Sequence, residues 1–493
     1  MNSFVSAATK PTRKPSTKQK TAVVSKVDAK TANGAATRST SGQQHVDLFA
    51  MAGSSRNKQG DLINLFAAAY MADKNMALRI ALWLRDVRGG AGERQSFRSV
   101  LKWLEMNDPV ALQKLVPYVP EFGRWDDVID TVAIQSEAFE LAAAEMLAAI
   151  KGGNGLSAKW APRKGEVAVA LRKSWNMQPK QYRKFIVNAT NVVETKMCAQ
   201  EWNDIEFDKV PSLAGLRYQK AFGKRAPEAY NRYKAALANG DVKVNASVLF
   251  PHDIVSAIRN RDGDSDVLNA QWKALPDYIE GKHGSMLVLS DVSSSMNSCI
   301  GGSVSAMNVS IALGLYISER QAGPFKDLVL TFASNSKFHH VVGNNITERC
   351  NNLERAEWGG STNFQSSFDE ILKLAKANDV PQEDMPKTLI CISDMEFNSF
   401  SVQGRSVENF KAAEAKFKAA GYNMPKIVFW NANGKAGNNP VSFDQTGTMM
   451  VSGYSPSILK AILAGAEIEN VTPLDVMLEA VMTERYDVVN SIV

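Results

Sequence analysis

Residues 286–295 read Met286-Leu287-Val288-Leu289-Ser290-Asp291-Val292-Ser293-Ser294-Ser295. The first four residues form an unbroken apolar run, as a strand buried on both faces of a parallel sheet requires. The run ends in one carboxylate and a series of hydroxyls. Open α/β sheets bind ligands outside the carboxyl ends of their strands, so a polar cluster directly after such a strand stands where a site belongs. Further along the chain, a helical stretch over 303–321 leads to Leu328-Val329-Leu330-Thr331-Phe332. A helix at about 367–377 and the strand Thr388-Leu389-Ile390-Cys391-Ile392 follow. A helix over 410–420, the strand Ile427-Val428-Phe429-Trp430 and a helix over 457–464 complete the series. Strands alternating with helices of this length predict a doubly wound sheet with helices on both faces.

Two more polar clusters fall at strand ends or between elements. They are Gly359-Gly360-Ser361-Thr362-Asn363 and Ser393-Asp394-Met395-Glu396. Combined with the first cluster they supply Asp291, Ser293, Ser295, Thr362 and Asp394, two carboxylates and three hydroxyls. These are hard oxygen ligands that suit Mg2+, with Mn2+ as the alternative. Two negative charges only balance a divalent ion, so one position stays open to water or another anionic oxygen. Any one cluster alone reads as a helix cap. Three clusters in order, at the ends of the right elements, point to a cation.

Before Gly284 the rhythm is helical. Leu62, Leu65, Phe66 and Tyr70 recur at spacings of three and four, and Ser99, Val100, Trp103 and Leu104 begin another such face. Leu78, Ile80, Leu82 and Leu84 continue the pattern with interruptions, and residues 138–150 are strong helix formers throughout. Breaks come at Gly89-Gly90-Ala91-Gly92, Asn107-Asp108-Pro109, Pro120 and Gly152-Gly153-Asn154-Gly155. Helices of this length with short turns predict stacked helical pairs, as in a solenoid, although no clean internal repeat stands out. The expected organisation is a disordered basic tail over 1–45, a helical repeat domain over 46–283, and an α/β domain with a C-terminal helix over 284–493.

Charge supports that division. The 493 residues carry +6, and residues 1–45 alone hold eight Lys or Arg against one acid, Asp28. The body is therefore near neutral. The tail is rich in Ser, Thr, Ala and Lys and too poor in apolar residues to fold alone. It reads either as a solvated tail or as a non-specific phosphate binder. It lacks the apolar core of a secretory signal and the amphipathic helix of a transit peptide. No stretch approaches the roughly 20 apolar residues of a spanning helix. Cys198, Cys299, Cys350 and Cys391 form no CxxC pair and read as reduced thiols of a cytoplasmic protein.

The Asp-x-Ser-x-Ser of Asp291, Ser293 and Ser295, with Thr362 in a loop and Asp394 later, resembles the metal-ion-dependent adhesion site of the von Willebrand factor A domain. The resemblance spans residues 284–465. It implies direct ligation by Ser293, Ser295 and Thr362, with Asp291 and Asp394 acting largely through water. Glu396 is not demanded by that pattern. The helical half carries Arg85-Asp86-Val87-Arg88-Gly89-Gly90-Ala91-Gly92-Glu93-Arg94, whose arginines can cap helix ends or bind phosphate. It also carries Phe122-Gly123-Arg124-Trp125-Asp126-Asp127, Lys159-Trp160-Ala161-Pro162-Arg163-Lys164 and Val210-Pro211-Ser212. Together with the A-type motifs these resemble the TROVE/Ro ribonucleoprotein family over residues 46–490. The resemblance implies HEAT-like helical repeats curled into a ring that the A domain closes, with small structured RNA outside and single-stranded ends in the hole. The basic residues for such contact would be Lys159, Arg163, Lys164, Arg172, Lys173, Lys180, Arg183 and Lys184. Trp160, Trp175 and Tyr182 lie among them and offer stacking surfaces. The opposing interpretation is a solvated helix face with Trp175 in the core.

Enzyme chemistry finds little support. No nucleophile has a visible base, and the glycine-rich turns lack the Lys-Ser/Thr of a phosphate loop. His339 and His340 fall on one predicted strand, where neighbours point to opposite faces, and read as edge-strand residues. A hydroxyl-dominated site is not that of a metal hydrolase. The sequence therefore predicts a non-enzymatic, RNA-binding, Ro-like component with a metal-dependent recognition site. The alternative is a protein-interaction adaptor whose metal captures a partner's Asp or Glu, without RNA.

Overall fold

The computed structural model describes residues 27–493 apart from 57, 191, 247–248, 281–284, 298, 302–303, 333, 357–362, 400, 403–404, 407 and 435–436. The apolar runs become the strands of one six-stranded sheet. These are β1 (Met286–Asp291), β2 (Leu328–Phe332), β3 (Phe338–His340), β4 (Thr388–Ser393), β5 (Lys426–Asn431) and β6 (Thr448–Ser452). Their order across the sheet is β6-β5-β4-β1-β2-β3. All neighbours are parallel except β3, which runs antiparallel at the edge beside β2. Every residue of β1 and β4 is buried, which requires cover on both faces. From β1 the chain winds outward to β2 and β3, then returns to β4 on β1's other side and winds on to β5 and β6. The reversal point lies between β1 and β4, and in such sheets that crevice takes the ligand.

One strand, β6, escapes the sequence pattern, and the edge strand expected at His339 and His340 is short. β6 is framed by Gly447 and Gly453 and is wholly buried, and β3 has only three residues. His339 and His340 do lie on the edge strand, where His339 Nε2 meets Asn352 Oδ1 at 2.9 Å.

The first half is helical, as the spacing predicts, from Gln44–Ala52 to Ser265–Lys273. In Lys74–Arg85 every residue from Ala77 onward is buried. A helix buried all round needs no one-sided stripe, which explains the broken spacing of Leu78, Ile80, Leu82 and Leu84. Residues 193–267 build a second, smaller core around Phe207, Phe222 and Tyr230. Among the described residues, no helix is long and apolar enough to cross a membrane.

The two halves interlock more than the sequence division implies. The helix Gln44–Ala52 lies against β6: Gly53 N–H donates to Ser452 Oγ (2.9 Å), which donates to Phe49 O (3.0 Å). A Cβ on Gly53 would stand 2.2 Å from Ser452 O, so only glycine permits this approach. The C-terminal elements Pro473–Val481 and Glu484–Ser491 pack on the helix Lys74–Arg85, and Arg79 pairs with Asp487 at 2.6 Å. At the far end of the helical half, Pro251–Arg259 packs on the helix Ala306–Arg320, with Asn308 Nδ2 donating to Ser256 Oγ at 2.8 Å. Both ends of the helical half are thus held by the α/β half.

The tail expectation needs correction. Residues 1–26 lie outside the described residues, but residues 27–45 are not loose. Ala29–Lys30 and Ala36–Thr37 form a small antiparallel ribbon. Thr31 Oγ1 donates to Phe397 O at 2.7 Å, and Thr37 Oγ1 to Asn439 O at 2.8 Å. Arg38 is buried in an ion pair with Glu408 at 2.5 Å. Composition misled because these contacts are to residues some 360–400 positions away, and no local pattern reports them.

Candidate functional site

The site is assembled from the carboxyl ends of β1 and β4, the two strands at the reversal point. Asp291 is the last residue of β1 and is completely buried. Its Oδ1 accepts the Ser293 N–H at 2.9 Å, and its Oδ2 accepts the Ser393 hydroxyl at 2.6 Å. Ser293 and Ser295 turn their hydroxyls to within 3.0 Å of each other, in a single turn of 3-10 helix around Ser294–Asn297. Asp394 follows β4 directly and is also buried. Ser295 hydrogen-bonds its carboxylate, and the Glu396 N–H donates to Asp394 Oδ1 at 3.2 Å. Between them Met395 adopts φ +63°, the left-handed region uncommon for a residue with a side chain.

Four of the five expected ligands therefore converge. Thr362, with Gly359, Gly360 and Ser361, lies outside the described residues. Next to that segment, Ser336 bonds Ser366 (2.8 Å) and Ser367 (2.9 Å) through its hydroxyl. The site also differs from an open surface crevice. Both carboxylates are buried, whereas Ser293 is half-buried and Ser295 is exposed.

Burial and the Asp394 charge lift the Asp291 carboxyl to about 6. Burial also raises Asp394, while the Ser295 hydrogen bond and the Lys58 charge oppose that rise. Two buried carboxylates, one raised by the other's charge, with hydroxyls beside them are a donor set that a small divalent cation with oxygen preference would fit. Among the described residues, no three His, Cys, Asp or Glu side chains are grouped to hold a metal. Such a grouping is not what a site of two carboxylates and several hydroxyls contains.

Sequence reasoning missed what surrounds the site. Lys58, from the helical half, donates to Asn433 O (3.0 Å) and Gly434 O (2.8 Å), beyond the end of β5. The Glu396 carboxylate accepts the Ala32 N–H, and Glu396 O accepts Asn33 Nδ2 at 2.6 Å. The N-terminal ribbon and the helical half thus both reach the rim, through contacts distant in sequence.

In the helical half, the arginines expected to cap helices or bind phosphate are mostly engaged internally. Arg85 pairs with fully buried Asp127 at 2.7 Å. Arg94, Arg98 and Arg124 complete a network with Asp126 and Asp127. Glu93 is buried against Arg56 at 2.8 Å, and Asp86 accepts Arg485 Nη2 at 2.9 Å from the C-terminal segment. Arg88 does meet a helix-end carbonyl, that of Glu121 at 3.0 Å.

The basic residues 159–184 divide. Lys159 is paired with Glu194 at 2.9 Å, and Arg172 donates to Met177 O at 3.3 Å. Arg163, Lys164, Lys173, Lys180, Arg183 and Lys184 are exposed. Among the described residues none of these six has an acidic partner. Two stacking expectations are corrected. Trp175 and Tyr182 are buried, with Trp175 Nε1 donating to Ala143 O (2.9 Å) and Tyr182 OH to Pro162 O (2.8 Å). Helix packing claimed their faces. Trp160 is half-buried, with the Arg124 guanidinium 3.2 Å from its ring centre. Of the cysteines, Cys350 and Cys391 are buried and free, and Cys198 is free but exposed.

The chain matches two families that meet where the helical rhythm gives way to the sheet. Residues 285–489 match a domain of unknown function, DUF7788, and residues 31–148 and 144–286 match another, DUF2828. It is 28% identical to the uncharacterized protein L728 of Acanthamoeba polyphaga mimivirus, covering 91% of this chain and 87% of that one. The crystal structure of the Deinococcus radiodurans Ro (RSR) protein aligns with 87% of this chain and 92% of its own, at a TM-score of 0.36 and 13% identity. Since the DUF2828 matches together take in more than half of the residues, the chain belongs to the DUF2828 family.

Proposed function

We propose that this protein is a non-enzymatic, RNA-binding, Ro-like component whose α/β half carries a cation-dependent recognition site of the von Willebrand factor A type. The observation that carries the RNA reading is the contrast in arginine and lysine use. Around Asp126 and Asp127 the cations are engaged internally, whereas Arg163, Lys164, Lys173, Lys180, Arg183 and Lys184 are exposed, with no acidic partner among the described residues. The surrounding stretch 159–243 holds 17 Lys or Arg against eight Asp or Glu, so the near-neutral body conceals a cationic middle. Such a surface attracts a phosphate backbone and releases counterions on binding. A ring closed by the α/β half is in keeping with both ends of the helical half being held by it.

The cation reading rests on the paired burial of Asp291 and Asp394. Asp291, Ser293, Ser295 and Asp394 would hold the ion, with Mg2+ first and Mn2+ second. The ion would supply a positive centre able to take an anionic oxygen.

The Lys173→Glu/Arg183→Glu/Lys184→Glu protein tests the first reading in a gel-shift titration with single-stranded RNA across salt. Each lost phosphate contact should lower the slope of log affinity against log salt by roughly 0.7. Unchanged binding would reduce the strip to a solvated face and favour the adaptor alternative. For the cation, Mg2+ at a hundred times its Kd should stabilise the protein by about 2.7 kcal/mol. Ser293→Ala/Ser295→Ala should erase that shift, and a shift that survives both changes would overturn the assignment.

A further inference from the structure

The N-terminal ribbon is short and polar. Within residues 29–38 the only apolar side chain that is buried is that of Ala35. Hydrophobic burial therefore does little to hold the ribbon, and hydrogen bonds must. Those bonds converge on two loops at the carboxyl ends of β4 and β5. In the first loop, Glu396 O accepts Asn33 Nδ2 at 2.6 Å, and Phe397 O accepts Thr31 Oγ1 at 2.7 Å. The Glu396 carboxylate accepts the Ala32 N–H, and the Ser399 N–H donates to Asn33 O at 3.1 Å. In the second loop, Thr37 Oγ1 donates to Asn439 O at 2.8 Å, and Arg38 and Asn439 exchange backbone bonds of 3.1 and 2.9 Å.

The first loop carries Asp394. The Glu396 N–H donates to Asp394 Oδ1 at 3.2 Å, so the residue that the ribbon grips also orients the aspartate. Met395 stands between the two at φ +63°, a conformation that a residue with a side chain keeps only where its surroundings impose it. Its N–H is taken by Ser393 Oγ at 3.1 Å, and its carbonyl by Asn438 Nδ2 at 3.0 Å. Asn438 Oδ1 is itself 3.0 Å from Thr37 Oγ1. The ribbon thus reaches the Asp394 loop directly through Thr31 and Asn33 and indirectly through Asn438.

We propose, on the cation reading above, that the ribbon is a positioning element of the cation site. By fixing the Asp394 loop, it sets the affinity for Mg2+ and the preference for Mg2+ over Ca2+. Mg2+ demands near-ideal octahedral geometry, whereas Ca2+ accepts a flexible cage, so a loop freed from the ribbon weakens Mg2+ more. Linkage makes the effect reciprocal: the ion tightens the ribbon by the factor by which the ribbon tightens the ion.

Calorimetric titration of the full chain with Mg2+ and with Ca2+, well below each variant's thermal midpoint, tests it. Thr31→Val/Asn33→Ala should weaken Mg2+ roughly tenfold or more, as losing the outer partners of a metal site does, and Ca2+ distinctly less. Thr31→Ser keeps the hydroxyl and should bind Mg2+ as the parent does. Mg2+ should also slow tryptic cleavage after Lys30, an exposed residue of the ribbon, and should lose that effect in the double variant. Unchanged Mg2+ binding in the double variant, an equal loss for both ions, or cleavage indifferent to Mg2+ overturns the proposal. Parent protein that binds no Mg2+ overturns the cation reading and the role of the ribbon together. Binding that Ser293→Ala/Ser295→Ala abolishes but the double variant retains in full overturns the role of the ribbon alone.

Discussion

Two pairs of buried aspartates behave in opposite ways. In the helical half, Asp126 and Asp127 sit among Arg85, Arg94, Arg98 and Arg124. Burial alone would push the Asp127 carboxyl up, but Arg85 and its hydrogen bond carry it below the usual carboxylate range. In the α/β half, Asp291 and Asp394 meet hydroxyls and backbone N–H groups instead, and burial with mutual repulsion lifts Asp291 to about 6. The first pair is a structural joint whose carboxylates are neutralised by arginines within the protein. The second lies at the carboxyl ends of β1 and β4 and, besides the Lys58 charge, is met by hydroxyls and backbone N–H groups. The same residue type at the same depth is thus matched by arginines in one place and by hydroxyls and N–H groups in the other, where the proposed cation would sit.

The sharpest way to break this contrast is to remove one aspartate of the structural joint. Asp127→Ala leaves Arg85 buried without its partner and should cost about 3–5 kcal/mol in chemical denaturation. A loss below about 1 kcal/mol would show that Asp126 or water replaces it and that the joint is not closed.

The corresponding change in the other pair should act in the opposite direction. Asp291 has a folded pKa above its unfolded one, so its stabilising contribution is complete below about pH 3.8 and is lost as pH rises through about 6. In metal-free protein, Asp291→Asn should therefore raise stability above pH 6, by up to about 3 kcal/mol. The advantage should vanish by about pH 4. Denaturation across that window measures it, and a variant less stable than the parent at pH 7 would mean that the ionised form is already satisfied internally.

A smaller effect sharpens the role of the N-terminal ribbon. Arg38→Ala removes the buried partner of Glu408 but leaves Lys411 at 2.7 Å, so the cost should be about 1–3 kcal/mol. Faster proteolysis within residues 27–45 should accompany it, and an unchanged cleavage rate would show that the ribbon is held by its backbone contacts alone. The smallest effect belongs to the strip. Reversing Lys173, Arg183 and Lys184 should leave stability within about 0.5 kcal/mol, because exposed side chains without partners contribute little to the fold. A larger loss would make them part of the structural joint.

The strands, their alternation with helices and the polar clusters at their carboxyl ends could be read from the sequence, because burial on both faces demands continuous apolar runs and such clusters follow them directly. That reading brought Asp291, Ser293, Ser295 and Asp394 to one point before any coordinates. What the order of residues could not report was pairing between elements distant along the chain, by tens of positions in one case and hundreds in the others. The ribbon on 396–398, Lys58 at the rim, Arg79 on Asp487 and Trp175 turned into the core are all decided by which faces meet. Hydrophobic periodicity identifies which side of an element is buried but not which partner buries it. A basic residue beside an aromatic looks the same in sequence whether it stacks inside, as Arg124 does on Trp160, or stands in solvent, as Lys173 does. Only the packing of the tertiary fold separates those two states, because charge is neutralised by neighbours in space and not along the chain.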